Sequence, residues 1–218
     1  MAAFAPRTVL VLAALAATLL VAGCESDRTA EPTPGLVAAR VYVLAPRDVS
    51  GYSRTADSVI SPATLADQHH DAALTAKLAT QGFLDGALDL YSPSKKSTVV
   101  LPFQTISSQA IIFADAGGAA AFFSDEQQRV NKAPPNGTIT PLVGVPNGNA
   151  DALVAFDSTA PPAAPTDPAS RAFLALIRRG QVVVELYAVA GPNSATPDQF
   201  VPYIRAQEEL LSAPVRGG

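Results

Sequence analysis

Ala172-Phe173-Leu174-Ala175-Leu176-Ile177-Arg178 and Gln181-Val182-Val183-Val184-Glu185-Leu186-Tyr187-Ala188-Val189 are two strand-like runs joined by Arg179-Gly180. Runs rich in β-branched and other apolar residues, split by a short glycine-bearing turn, predict a tight antiparallel hairpin. Side chains alternate along a strand, so Val182, Val184, Leu186 and Ala188 share one face. Glu185 and Tyr187 fall on the other, where solvent exposure on a one-sided sheet is the expectation and a ligand-lining role the alternative.

Other strand signals lie upstream. Ala87–Tyr91, Ser97–Phe103 and Ser108–Phe113 form one series, punctuated by Pro93-Ser94 and Pro102, and Thr138–Val143 and Ala152–Phe156 add two more. Three helices separate or follow them. Ser61-Pro62 supplies an N-cap and a first-turn proline for a helix reaching about Thr80 and stopping at Gly82. Asp115 caps a second, through Ala119-Ala120-Ala121-Phe122-Phe123 to about Val130. Thr196-Pro197-Asp198 announces a third, with Phe200, Tyr203, Ile204, Leu210 and Leu211 on its apolar side. Hairpins with few helices, and no strict βαβα alternation, predict an α+β fold: a largely antiparallel sheet packed by about three helices. No repeat period is present. The tract from Ser158 to Pro168, with four prolines, reads as a surface loop inside one domain.

The N-terminus carries a different message. Arg7 precedes an apolar run from Val9 to Leu20, and Val21-Ala22-Gly23-Cys24 closes it. A positive start, a short apolar stretch and small residues before a boundary are the layout of an export signal. A spanning helix needs about 20 apolar residues; here Pro6 and Arg7 interrupt the start, and Glu25-Ser26-Asp27-Arg28 ends the run abruptly. Val21-Ala22-Gly23-Cys24 resembles the lipobox of bacterial lipoproteins. That resemblance implies acylation of Cys24, residues 1–23 as a cleaved signal peptide, and a location on the extracytoplasmic face of the cell membrane. Residues 24–35, with Pro32, Pro34 and Gly35, read as a flexible tether. Residues 36–213 then make the single domain. Leu44–Tyr52, Gly82–Gly86 and Phe113–Ala119 further resemble segments of uncharacterised actinobacterial envelope lipoproteins, which implies an envelope protein and names no substrate.

Composition narrows the partners. Without residues 1–23 the chain has fourteen basic against nineteen acidic side chains, a net charge of −5. A mildly acidic domain has no electrostatic case for binding nucleic acid or anionic headgroups. With Cys24 acylated no thiol remains for a disulfide. A domain of this size holds together by burial alone.

Candidate chemistry is thin. Asp67, His69, His70 and Asp71 cluster on the first helix, but residues one apart on a helix point about 100° apart. One helix cannot aim all four at an ion; zinc would need ligands from elsewhere, and the chain has no histidine beyond this pair. The expectation is a solvated helix face, no metal and no cofactor. Ser92-Pro93-Ser94-Lys95 has the Ser-x-x-Lys spacing of penicillin-binding enzymes, but its proline marks a turn and the companion motifs are missing. Gly117-Gly118 lacks any phosphate-loop spacing and reads as a site of close helix packing. Asn136-Gly137-Thr138 is a glycosylation sequon of little weight in a bacterial lipoprotein. The expected function is therefore noncatalytic binding of an envelope protein or an apolar ligand. An envelope hydrolase with His69 or His70 as base is the alternative.

Overall fold

The structure is a computed structural model and describes residues 38–132, 137–145, 147–160, 170–190 and 195–212. The expected signal segment, Cys24, the expected tether and residues 161–169 of the proline tract lie outside the described residues. Seven strands form one sheet: β1 Tyr52–Val59, β2 Phe83–Pro93, β3 Phe103–Phe113, β4 Thr138–Pro141, β5 Ala152–Ala160, β6 Ser170–Arg179 and β7 Val182–Ala190. Their order is β1-β2-β3-β7-β6-β5-β4, and every neighbouring pair is antiparallel. The sheet is thus two meanders, β1-β2-β3 and β4-β5-β6-β7, joined along β3 and β7 at its centre. Four α-helices are described: α1 Pro62–His69, α2 Leu74–Thr80, α3 Ala116–Val130 and α4 Pro197–Ser212. The α+β class and the single domain agree with expectation.

The hairpin of β6 and β7 forms with its turn one residue later than the sequence suggests. Arg179 pairs with Val182, so Gly180 and Gln181 make the loop. Gly180 has φ +56°, a conformation glycine adopts at no steric cost.

Alternation divides the core between the two faces of the sheet. Val182, Val184, Leu186 and Ala188 join Ile106, Ala110, Phe173 and Ile177 under α4. There Phe103 packs edge-on against Phe173, Phe200 and Tyr203, with ring centroids 5.8–6.2 Å apart. A 3₁₀ turn at Ala39–Tyr42 lies on the same face. The buried Ser108 hydroxyl there donates to Gln207 (2.9 Å) and accepts from the Leu44 N–H (3.0 Å). Tyr91 donates to the Leu44 carbonyl (2.6 Å). The opposite face buries Leu88, Ile111, Phe113, Leu176 and Val183 beneath Leu65, Leu78, Ala119, Phe122 and Phe123 of α1, α2 and α3.

Two expectations are corrected, and one strand is added that the sequence did not announce. The first helix is not continuous to Thr80: it breaks at His70, which sits in the left-handed region (φ 52°, ψ 37°) with its N–H directed at the carbonyls of Ala66 and Asp67. Asp71 Oδ1 then accepts from the Ala73 N–H (3.0 Å) and α2 starts afresh. Ser97–Leu101 is not a strand but a loop, with Val99 and Val100 exposed. Tyr52–Val59, which has no continuous apolar signal, is the edge strand β1 and is largely exposed.

Candidate functional site

Three elements converge on the face of the sheet covered by α1, α2 and α3. Ser61 caps α1 by accepting from the Thr64 N–H (3.1 Å), and Pro62 takes the first helical position. The break at His70 ends the helix one residue after His69. Asp115 caps α3 through the Gly118 N–H (2.8 Å). A Cβ on Gly118 would lie 1.9 Å from the Gln81 carbonyl oxygen, so this glycine permits the end of α2 to abut the first turn of α3. Gln81 Nε2 and Lys77 Nζ both reach Asp125 (2.8 and 2.7 Å), which fixes the rotation of α3. That rotation directs Ala119, Phe122, Phe123, Glu126 and Val130 inward. Glu126 therefore occupies an otherwise apolar helical stripe.

His69 Nδ1 stands 3.2 Å from Glu126 Oε1, with the two side chains only 8% and 3% exposed. The other carboxylate oxygen, Oε2, accepts from Arg129 Nε (2.7 Å) and lies 2.5 Å from Arg129 Nη2. Glu185 rises from β7 between Gln109 of β3 and Leu176 of β6. One of its carboxylate oxygens, a ring nitrogen of His69 and a carboxylate oxygen of Glu126 all lie within 4.8 Å of one another. Glu185 Oε1 is sealed from solvent and has no hydrogen-bond partner among the described residues, although the residue as a whole is half-buried. Such an orphan acceptor costs about 1–3 kcal/mol of uncompensated desolvation.

The electrostatics separate the two carboxyls. For Glu126, burial acts upward but is outweighed by the His69 hydrogen bond and the Arg129 charge, leaving it below the ordinary carboxylate range. For Glu185, burial and the nearby Glu126 charge push the carboxyl up to about 7. Burial opposes the Arg129 charge, yet the two carboxylates raise its affinity for its proton. Tyr187, next along the same face of β7, is raised by burial.

The structure regroups the residues singled out in the sequence. His70, Asp67 and Asp71 point to solvent and share no site with His69. His69 leaves the solvated face expected of it and turns into the core. Glu185 is likewise not on a solvent-facing surface, because α3 covers that side of the sheet. Ser92 is the next-to-last residue of β2 and Lys95 is exposed in the following turn, so no helix carries that pair. Glu126 and Arg129 had drawn no notice in the sequence. The available signal was a glutamate four residues after Phe122 and four before Val130, a polar side chain placed where the stripe demands an apolar one.

No family model matches the chain, and no curated protein matches it in sequence. Among solved structures, the fold is similar to the crystal structure of the extracellular domain of PknH from Mycobacterium tuberculosis. The TM-score is 0.53 at 12% sequence identity, over 81% of this chain and 98% of that one. At that identity the likeness is one of fold.

Proposed function

We propose that this chain is a noncatalytic extracytoplasmic binding domain, held on the outer face of the cell membrane by acyl chains on Cys24. It recognises an envelope protein or an apolar envelope ligand. The observation that carries this reading is the fold likeness, which spans nearly the whole of a chain described as an extracellular domain. The export-type segment ending in Val21-Ala22-Gly23-Cys24 supports it from the other end of the sequence. In this reading residues 1–23 are the signal peptide, 24–35 the tether and 36–213 the domain. Each buried methylene contributes about 0.8 kcal/mol, so two or more chains on one cysteine anchor stably without a spanning helix. Among the described residues no helix is long and apolar enough to cross a membrane.

The hydrolase alternative draws little from the geometry. His69 is committed to Glu126 in a buried cluster, and His70 ends a helix in solvent. Protease added to intact protoplasts tests the address: the domain is expected to be digested while a cytoplasmic marker survives. Protection of the domain until the membrane is lysed would contradict it. Replacing the exposed His70 with alanine is expected to leave the cellular phenotype unchanged, whereas its loss, with the protein still folded, would favour the hydrolase.

A further inference from the structure

We propose that His69, Glu126 and Glu185 form a binding site for a first-row divalent ion of the zinc type. The inference goes beyond the anchored binding domain and does not depend on lipid at Cys24.

The donor set is the first argument. One imidazole and two carboxylates are ligands of zinc, which takes His nitrogen at about 2.0–2.1 Å and carboxylate oxygen at about 2.0–2.2 Å. Calcium would ask for six to eight oxygens, which three protein donors with one nitrogen do not supply. Spacing is the second. Tetrahedral ligands around zinc stand about 3.4 Å apart. His69 Nδ1 and Glu126 Oε1 are already 3.2 Å apart, and the whole set lies within 4.8 Å. A rotation about the Glu185 side chain of roughly an ångström closes the remainder, and a water completes the fourth position.

The orphan oxygen is the third and most pointed observation. The Glu185 carboxyl lies beside His69 and Glu126, and its Oε1 is buried with nothing donating to it among the described residues. A buried acceptor without a partner calls for an ion, a water or a proton, and the neighbouring imidazole and carboxylate are groups that ligate metals. Arg129 fits as outer-shell support: it holds Glu126 Oε2 and leaves Oε1 turned to the shared space. Because the three donors come from the end of α1, the C-terminal half of α3 and the centre of β7, the ion would cross-link the helix layer to the sheet.

The test uses the full chain, extracted in detergent with a tag that contains no histidine and stripped with chelator. Titration with zinc chloride is expected to show one ion per chain and a raised melting temperature. Cobalt(II) in its place is expected to give the visible ligand-field bands of a tetrahedral site. Glu185→Gln, which keeps the shape and removes the charge, should weaken zinc by at least about tenfold, the loss that even an outer-shell partner causes. His70→Asn, which alters the exposed neighbour, should bind as wild type. Absence of zinc binding, or binding that survives Glu185→Gln but is lost in His70→Asn, would overturn the proposal; the first result would leave a proton on Glu185 as the occupant.

Discussion

Glu185 sits among valines and leucines at the middle of a central strand, and its effect on stability follows from what burial does to a carboxyl. In metal-free protein its folded value is about 7 against an ordinary value of 4.5. The folded state therefore holds the proton more tightly than the unfolded chain does. The stability that this contributes is fully present below about 4.5 and is lost as pH rises through about 7. Glu126 acts with the opposite sign: its contribution is present above the ordinary carboxylate range and fades as pH falls through its depressed value. Urea denaturation of chelator-treated protein at pH 5 and pH 8 is expected to show Glu185→Gln gaining on wild type at the higher pH. An equal difference at both values would contradict the assignment. Single residues of this kind are the least legible in sequence. Alternation placed Glu185 on the correct face, but whether a helix covers that face is set by Gly118 and Asp125, far away in the chain. His69 shows the same limit, since its direction depends on a helix break one residue later.

Two helices meet at a glycine, and the packing there is the sharpest contact between elements. Gly118→Ala is expected to cost about 3 kcal/mol, the upper end of the overpacking range, because its Cβ would meet a backbone oxygen at 1.9 Å. Gly117→Ala meets only the Asp115 carboxylate at 3.1 Å, and the gain in helix propensity should leave it within about 0.5 kcal/mol of wild type. Thermal denaturation of the two variants side by side checks the contrast. At the break between α1 and α2, His70→Gly should raise stability by up to about 1 kcal/mol, since glycine adopts φ 52° at no steric cost. A loss in the same measurement would mean that the His70 side chain does more than terminate the helix. Elements with strong local signals were legible: the Asp115 cap and the Thr196-Pro197 start lie where the residues imply, and the β6–β7 hairpin does so with its turn one residue later. Strand β1 was not, because an exposed edge strand has no apolar face to announce it. The length of the first helix was not legible because no glycine or proline marks its break at His70.

Across the whole molecule, two meanders share one sheet, and the aromatic cluster under α4 ties them together. Phe103 belongs to the first meander and Phe173 to the second, with Phe200 and Tyr203 closing over both. Phe103→Ala is expected to cost about 3–5 kcal/mol and to lower the single unfolding transition rather than split it. Two separate transitions in calorimetry would show that the meanders fold independently. The class of fold followed from the residues because hairpins and caps are local. Strand order did not, since the pairing of β3 with β7 joins segments about 70 residues apart. The proposed address rests on residues 1–24 and on the likeness to an extracellular domain, so the anchoring cysteine is where the account is most exposed. Cells supplied with labelled fatty acid, expressing wild type or Cys24→Ala, should yield labelled wild type in the membrane fraction and an unlabelled variant released from it. An unlabelled wild type, together with a Cys24→Ala chain that stays in the membrane, would contradict the lipid anchor.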